Sequence, residues 1–251
     1  MTTDLPADST SISPAAQRTV LTYSVLIGLC PLIPVPFLDE FVLGVISRRM
    51  IRTLLGLHEL SSSEDNIQRL SRERVGCPLG CLYSLLLAPI KKMVRTLVFV
   101  LAFKDCVDAA SRWLHRGFLL SVALEKEVLS ADQLGKKEGV WPVALAIEEA
   151  IITIDTSPIN QMVLQVFSHS RALLRSTARD LYRRVRPHRR SDAAAEVIAE
   201  VADDEKQALS SVVDELSDAF WAKRDYLSVL EATFWQKLEQ TTARMQVSDD
   251  A

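Results

Sequence analysis

Residues 19–38, TVLTYSVLIGLCPLIPVPFL, run for twenty residues without a charge, yet hold prolines at Pro31, Pro34 and Pro36. The length suits a membrane-crossing helix; the prolines do not. Each removes a backbone donor and biases its predecessor away from the α region. The run therefore predicts a helix over 15–29, a rigid elbow over 30–36 and a second helix over 37–57. Asp39 and Glu40 fall in the first turn of that second helix and Arg48, Arg49 and Arg52 in its later turns, the order that a helix dipole favours. Leu38, Val42, Ile46, Met50, Leu54 and Leu57 recur at steps of four and three and make one apolar face.

A second apolar block follows a polar connector with one short helix at 61–74. It spans Val75 to Phe103 and is divided by Pro89 and by Lys91, Lys92 and Arg95 into pieces over 79–90 and 93–103, each too short to cross a bilayer. An amphipathic helix is expected over 104–129, a polar turn over 134–139, and a helix over 140–154 with Pro142 in its first turn, where proline is tolerated. Ser157 followed by Pro158 reads as a cap and first helical residue, opening a helix to about Val185. Its apolar stripe is Val163, Val166, Phe167, Leu174, Ala178, Leu181 and Val185; Arg171, Arg175, Arg179, Arg183 and Arg186 gather on the other side.

With only 8 glycines the chain lacks the turn chemistry of a sandwich or barrel. The expected class is all-α: a multi-helix bundle of proline-elbowed apolar hairpins with a long C-terminal helical region. The division expected is a disordered tail over 1–14, an apolar body over 15–186 ending in the basic amphipathic helix, a linker over 187–192, an acidic helical region over 193–246 and a second tail over 247–251. Residues 1–190 hold 24 Lys/Arg against 18 Asp/Glu, and residues 191–251 hold 5 against 14, so a basic body carries an acidic C-terminal segment. That segment is expected as one helix or as two broken near Asp203–Asp204. Within it Leu209, Val213, Leu216, Phe220, Leu227, Leu230 and Phe234 form a coiled-coil-like seam for another helix, in this molecule or in a copy.

No catalytic, metal or cofactor site emerges, and an enzyme is not expected. Asp108, Ser111 and His115 share a helix face, but a mid-helix serine has neither a sharp turn to expose it nor free backbone amides for an oxyanion. Cys77 and Cys81 lack a second ligand pair, so these thiols, with Cys30 and Cys106, read as buried and inert in a reducing compartment. Gly-rich phosphate loops are missing from the sequence, and no small-molecule substrate is evident. Nucleic acid fits poorly, because Tyr182 is the only aromatic residue along the arginine stripe.

At residues 28–57, GLCPLIPVPFLDEFVLGVISRRMIRTLLGL, the chain resembles the EcsC family and the uncharacterised bacterial membrane-associated domain found beside GTPase domains. The matching positions are Pro34, Pro36, Asp39, Arg48 or Arg49, and Met50. The second block departs from the pattern, with CPLGCLYSLLLAPIKKM in place of a glycine-rich hairpin, and no GTPase motif is attached. The resemblance implies an α-helical, membrane-associated bacterial protein without known catalytic residues.

Two readings of the apolar blocks compete. As core helices they need neighbours to cover them; as membrane-docked hairpins they need helix ends near the interface to satisfy their backbone. The charges directly after each block suit shallow insertion. The expectation is a non-enzymatic protein on the cytoplasmic side of a membrane, contacting lipid through hairpins 19–57 and 75–103 with help from the arginine stripe. The alternative is a soluble interaction module that binds a protein partner, or itself, through the 209–238 seam.

Overall fold

A computed structural model describes residues 12–33, 38–72, 95–136, 139–185 and 207–249, with 196, 200 and 204; the side chains of 38, 39, 95–101 and 246–249 are outside the description. The chain is all-α, a multi-helix bundle. Among the described residues its elements are α1 (Pro14–Leu29), a 3-10 turn (Cys30–Leu32), α2 (Leu38–Leu57), α3 (Glu64–Ser71), α4 (Arg95–Glu125), α5 (Ala131–Gly135), α6 (Trp141–Thr153), α7 (Ser157–His169), α8 (Arg171–Val185), α9 (Ser210–Trp221) and α10 (Arg224–Asp249).

The uncharged run becomes the central helix. Ser13 caps α1 by accepting from the Ala16 N–H at 3.2 Å, and Pro14 occupies the first turn. From Val20 to Cys30 every residue is buried. Its cover comes from α2, α4, α8 and α9, all of which contact it. Each fully buried Leu, Ile or Val in such a helix is worth about 1.5–3 kcal/mol of transfer free energy. The helix ends by tightening: the Ile33 N–H donates to the Cys30 carbonyl at 2.9 Å, and Ile33 is extended, as a residue before proline must be. Pro31 lies in this turn; Pro34 and Pro36 lie outside the described residues. Asp39 falls in the first turn of α2, as the dipole argument expects. Val42, Ile46, Met50 and Leu54 are fully buried, whereas Leu57, expected on the same face, is 43 % exposed at the end of the helix.

α4 runs antiparallel to α1, and the two approach closely through small residues. A Cβ added to Gly28 would lie 2.8 Å from the Ala110 Cβ and 3.0 Å from the Cys106 carbonyl oxygen. One added to Gly117 would lie 2.7 Å from a Val20 methyl. At the far end the Ser13 N–H donates to Glu125 Oε1 at 2.9 Å. Ile12 is buried, so residues 12–14 belong to the body and not to a disordered tail. The expected helix start at 104 is also corrected: α4 begins by Arg95 and passes Phe103 without interruption, because Lys104 and Asp105 sit on its exposed side. The rest of the second apolar block, residues 75–94, lies outside the description, as do the linker over 187–192 and residues 1–11.

Two further boundaries follow from changes of packing partner. The helix expected over 157–185 is divided at Ser170: α7 packs on α4 and α9, whereas α8 packs on α1 and the 3-10 turn. The C-terminal region breaks at Ala222–Lys223, because α9 packs on α1 and α7 while α10 packs along α6. α10 continues to Asp249, so 247–249 are helical, not tail.

α2 and α4 end in matched left-handed turns at Glu59 (φ 57°) and Glu127 (φ 55°). Leu60 N–H donates to the Leu55 carbonyl and Val128 N–H to the Ala123 carbonyl, both at 2.9 Å, the Schellman arrangement that satisfies the last carbonyls of a helix. α3 is tied on both sides. Arg116, nearly fully buried, donates to the Leu70 and Arg72 carbonyls at 3.0 and 2.9 Å and pairs with Glu148 on α6 at 2.9 Å. Asn66 donates from its amide nitrogen to the Leu134 and Lys136 carbonyls, both at 2.9 Å.

The α1–α4 contact makes a paired prediction. Gly28→Ala lowers stability by about 1–3 kcal/mol through overpacking. Gly56→Ala, in α2 with nothing within 4 Å of the new methyl, raises it by up to about 1 kcal/mol through helix propensity. Urea midpoints of the two variants measure the contrast.

Candidate functional site

The arginine stripe is assembled on α8. Leu174, Thr177, Ala178, Leu181 and Val185 face the core, and Arg171, Arg175, Arg179 and Arg183 are exposed on the opposite side; Arg186 lies outside the described residues. The guanidinium of Arg171 lies 4.6 Å from the centre of the Phe103 ring, a cation–π distance. A narrow crevice there is lined by Leu29, Leu32, Phe103, Phe167, Arg171 and Arg175. The basic helix, the elbow after α1 and the first described turns of α4 thus meet at one end of the bundle. Sequence spacing put the arginines on one face; their neighbourhood with Phe103 comes from packing.

The C-terminal seam is closed on its own chain. Leu209, Val213, Leu216, Phe220, Leu227, Leu230 and Phe234 are all buried, and Phe220 meets Phe118 of α4 edge-on at 5.8 Å between ring centres. A partner docking through those residues would have to displace α1, α6 or α7. Part of the charge asymmetry is also resolved internally, through Arg184–Asp204 at 2.7 Å and Arg18–Asp214 at 3.8 Å, while His169 Nδ1 lies 3.1 Å from Glu215. All three pairs are exposed and individually weak.

Asp108, Ser111 and His115 do not form a relay. His115 Nδ1 lies 2.6 Å from the Ser111 carbonyl oxygen, so that nitrogen carries the hydrogen; Nε2 then accepts from the Tyr226 hydroxyl, also at 2.6 Å. The imidazole is consumed in joining α4 to α10. Burial drives its pKa down to about 4, only partly opposed by the Ser111 carbonyl. Burial raises the Tyr226 hydroxyl above its ordinary value, with the negative charge of Asp155 adding to the effect. Cys106 is buried, its thiol pushed up to about 12 by desolvation and by Asp105, as an inert cysteine should be; Cys30 is buried too, and Cys77 and Cys81 lie outside the described residues. Among the described residues no His/Cys/Asp/Glu group could hold a metal ion, and no helix is long and apolar enough to cross a membrane.

One feature escapes sequence reading. Between α1, α2 and the start of α9 lies a groove of about 490 Å³, lined by Ala15, Arg18, Thr19, Thr22, Tyr23, Thr53, Gln207, Ser210 and Val213. Residues 15, 18, 19, 22 and 23 occupy one face of α1 at helical spacing, which is the signal that would have found it. Inside an apolar run those hydroxyls look like tolerated exceptions. Tyr23 and Thr22 are almost fully buried, and the Tyr23 hydroxyl is 3.4 Å from Thr53 Oγ1.

Comparison with known proteins gives no match to a family model, a curated protein or a solved structure. The likeness of residues 28–57 to the EcsC-type proteins rests on the quoted residues alone. Met50 among them is a core residue, and Arg48 lies 3.7 Å from Glu64 across the α2–α3 connection.

The buried imidazole sets an acid limit. Between its ordinary pKa of 6.5 and the folded value of about 4, the unfolded chain binds a proton that the folded chain refuses. The stabilisation is therefore complete above about pH 6.5 and is lost as pH falls, at up to about 1.4 kcal/mol per pH unit. Urea midpoints across that range should fall in the parent protein and show a shallower fall in His115→Gln.

Proposed function

We propose that the protein is a non-enzymatic helical module that docks on the cytoplasmic face of a membrane, with the arginine row of α8 against anionic headgroups and the 75–103 block supplying apolar contact. The observation that carries this reading is the seat of Arg171 and Arg175 beside Phe103 and Leu32. It brings a basic helix face to the same end of the bundle as the apolar block's entry into α4. A basic face backed by an apolar stripe suits an interfacial helix, and each arginine near an anionic surface contributes about 1 kcal/mol.

The reading narrows the sequence expectation. The inward faces of α1 and α2 are buried by their own chain, so lipid insertion by the first hairpin would require opening the core. Peripheral docking does not. The interaction module working through the 209–238 seam is the weaker reading, because its residues already pack inside the molecule.

Vesicle co-sedimentation tests the proposal. The full chain should pellet with phosphatidylserine-containing vesicles and not with pure phosphatidylcholine. The exposed triple change Arg175→Gln, Arg179→Gln, Arg183→Gln should weaken binding by about a hundredfold, on the order of 1 kcal/mol per arginine. Binding that ignores both lipid charge and the triple change, or no binding at all, would falsify the reading.

A further inference from the structure

We infer that the groove between α1, α2 and the start of α9 is a binding site for a small soluble phosphate ester of a polyol. Its volume, about 490 Å³, falls within the range of small-molecule sites. Its lining is what distinguishes it. Thr19, Thr22, Tyr23, Thr53 and Ser210 contribute five hydroxyls, Gln207 an amide and Arg18 a guanidinium; no carboxylate belongs to the described lining.

The arrangement has a direction. Arg18 is exposed at the rim, where its ion pair among the described residues is the long 3.8 Å contact to Asp214, which an incoming anion can replace with shorter charge-assisted bonds. Thr22, Tyr23 and Thr53 lie deeper, and Thr53, whose own hydrogen is spent on a backbone carbonyl, accepts from the hydroxyls of a polyol. The Tyr23 hydroxyl, 3.4 Å from Thr53 Oγ1, is the donor of that pair, because the Thr53 hydrogen goes to the Arg49 carbonyl at 2.9 Å. The anionic group thus sits at Arg18 and the polyol body points towards Tyr23. None of the α8 arginines lines this groove, so the inference stands apart from membrane docking.

Calorimetric titration of the full chain with glycerol 3-phosphate tests it, with inorganic phosphate and glycerol as the two halves of the probe. Saturable binding of glycerol 3-phosphate, tighter than either half, is expected. Arg18→Gln should weaken it by about tenfold, the loss of one charge-assisted hydrogen bond. Thr22→Val should weaken it severalfold, and Asp214→Asn, which releases Arg18, should strengthen it. Arg179→Gln should leave it unchanged. Unaltered melting temperatures in Arg18→Gln and Asp214→Asn, both exposed positions, separate lost binding from lost folding. No saturable binding, or binding abolished by Arg179→Gln and indifferent to Arg18→Gln, overturns the assignment.

Discussion

The structure depends on the burial of one helix that carries no charge after Arg18. From Val20 to Leu29 α1 is wholly buried, and the close approach of α4 through Gly28 and Gly117 supplies its longest flank. Contact at that separation is available only where side chains are absent or a single methyl. α2 covers a second side after the elbow; α8 and α9 complete the enclosure. The start of α1 follows the same logic: Ile12 joins the core before the helix, and Ser13 ties the helix start to Glu125.

Around this axis the buried polar groups act mainly as connectors. Arg116 reaches the open carbonyls at the end of α3 and pairs with Glu148, so three helices share one guanidinium. Taking a charge from water is costly unless it is paired, and two backbone carbonyls and the Glu148 carboxylate offset that cost. His115 performs the corresponding task between α4 and α10 as a neutral ring. The imidazole that suggested chemistry in the sequence is thus spent on holding two helices together.

Two surfaces are left with distinctive character. One is the row of arginines on α8, placed beside Phe103 and the elbow. The other is the hydroxyl-lined groove on the face of α1 that the surrounding helices leave open. They differ in kind: the first is basic and extends along a helix, whereas the second is concave, mixed and small. Of the C-terminal seam only Val213 borders the groove, and the seam residues are all committed to the interior.

The class of fold, the first helix, the elbow after Leu29 and the extent of α2 were legible because each rests on local chemistry. Proline and capping signals act within a few residues, and amphipathic spacing identifies which face seeks cover. The breaks at Ser170 and Ala222–Lys223 carry no glycine or proline and were not legible; they arise where a segment changes the helix it packs against. For the same reason the sequence determined that residues 209–234 would make an apolar seam, while only tertiary structure decided that the seam closes on α1, α6 and α7. Sequence likewise determined that the 19–38 run must leave water. Whether protein or lipid would receive α1 was a tertiary matter, since an apolar helix is satisfied by either and only the arrangement of its neighbours distinguishes them.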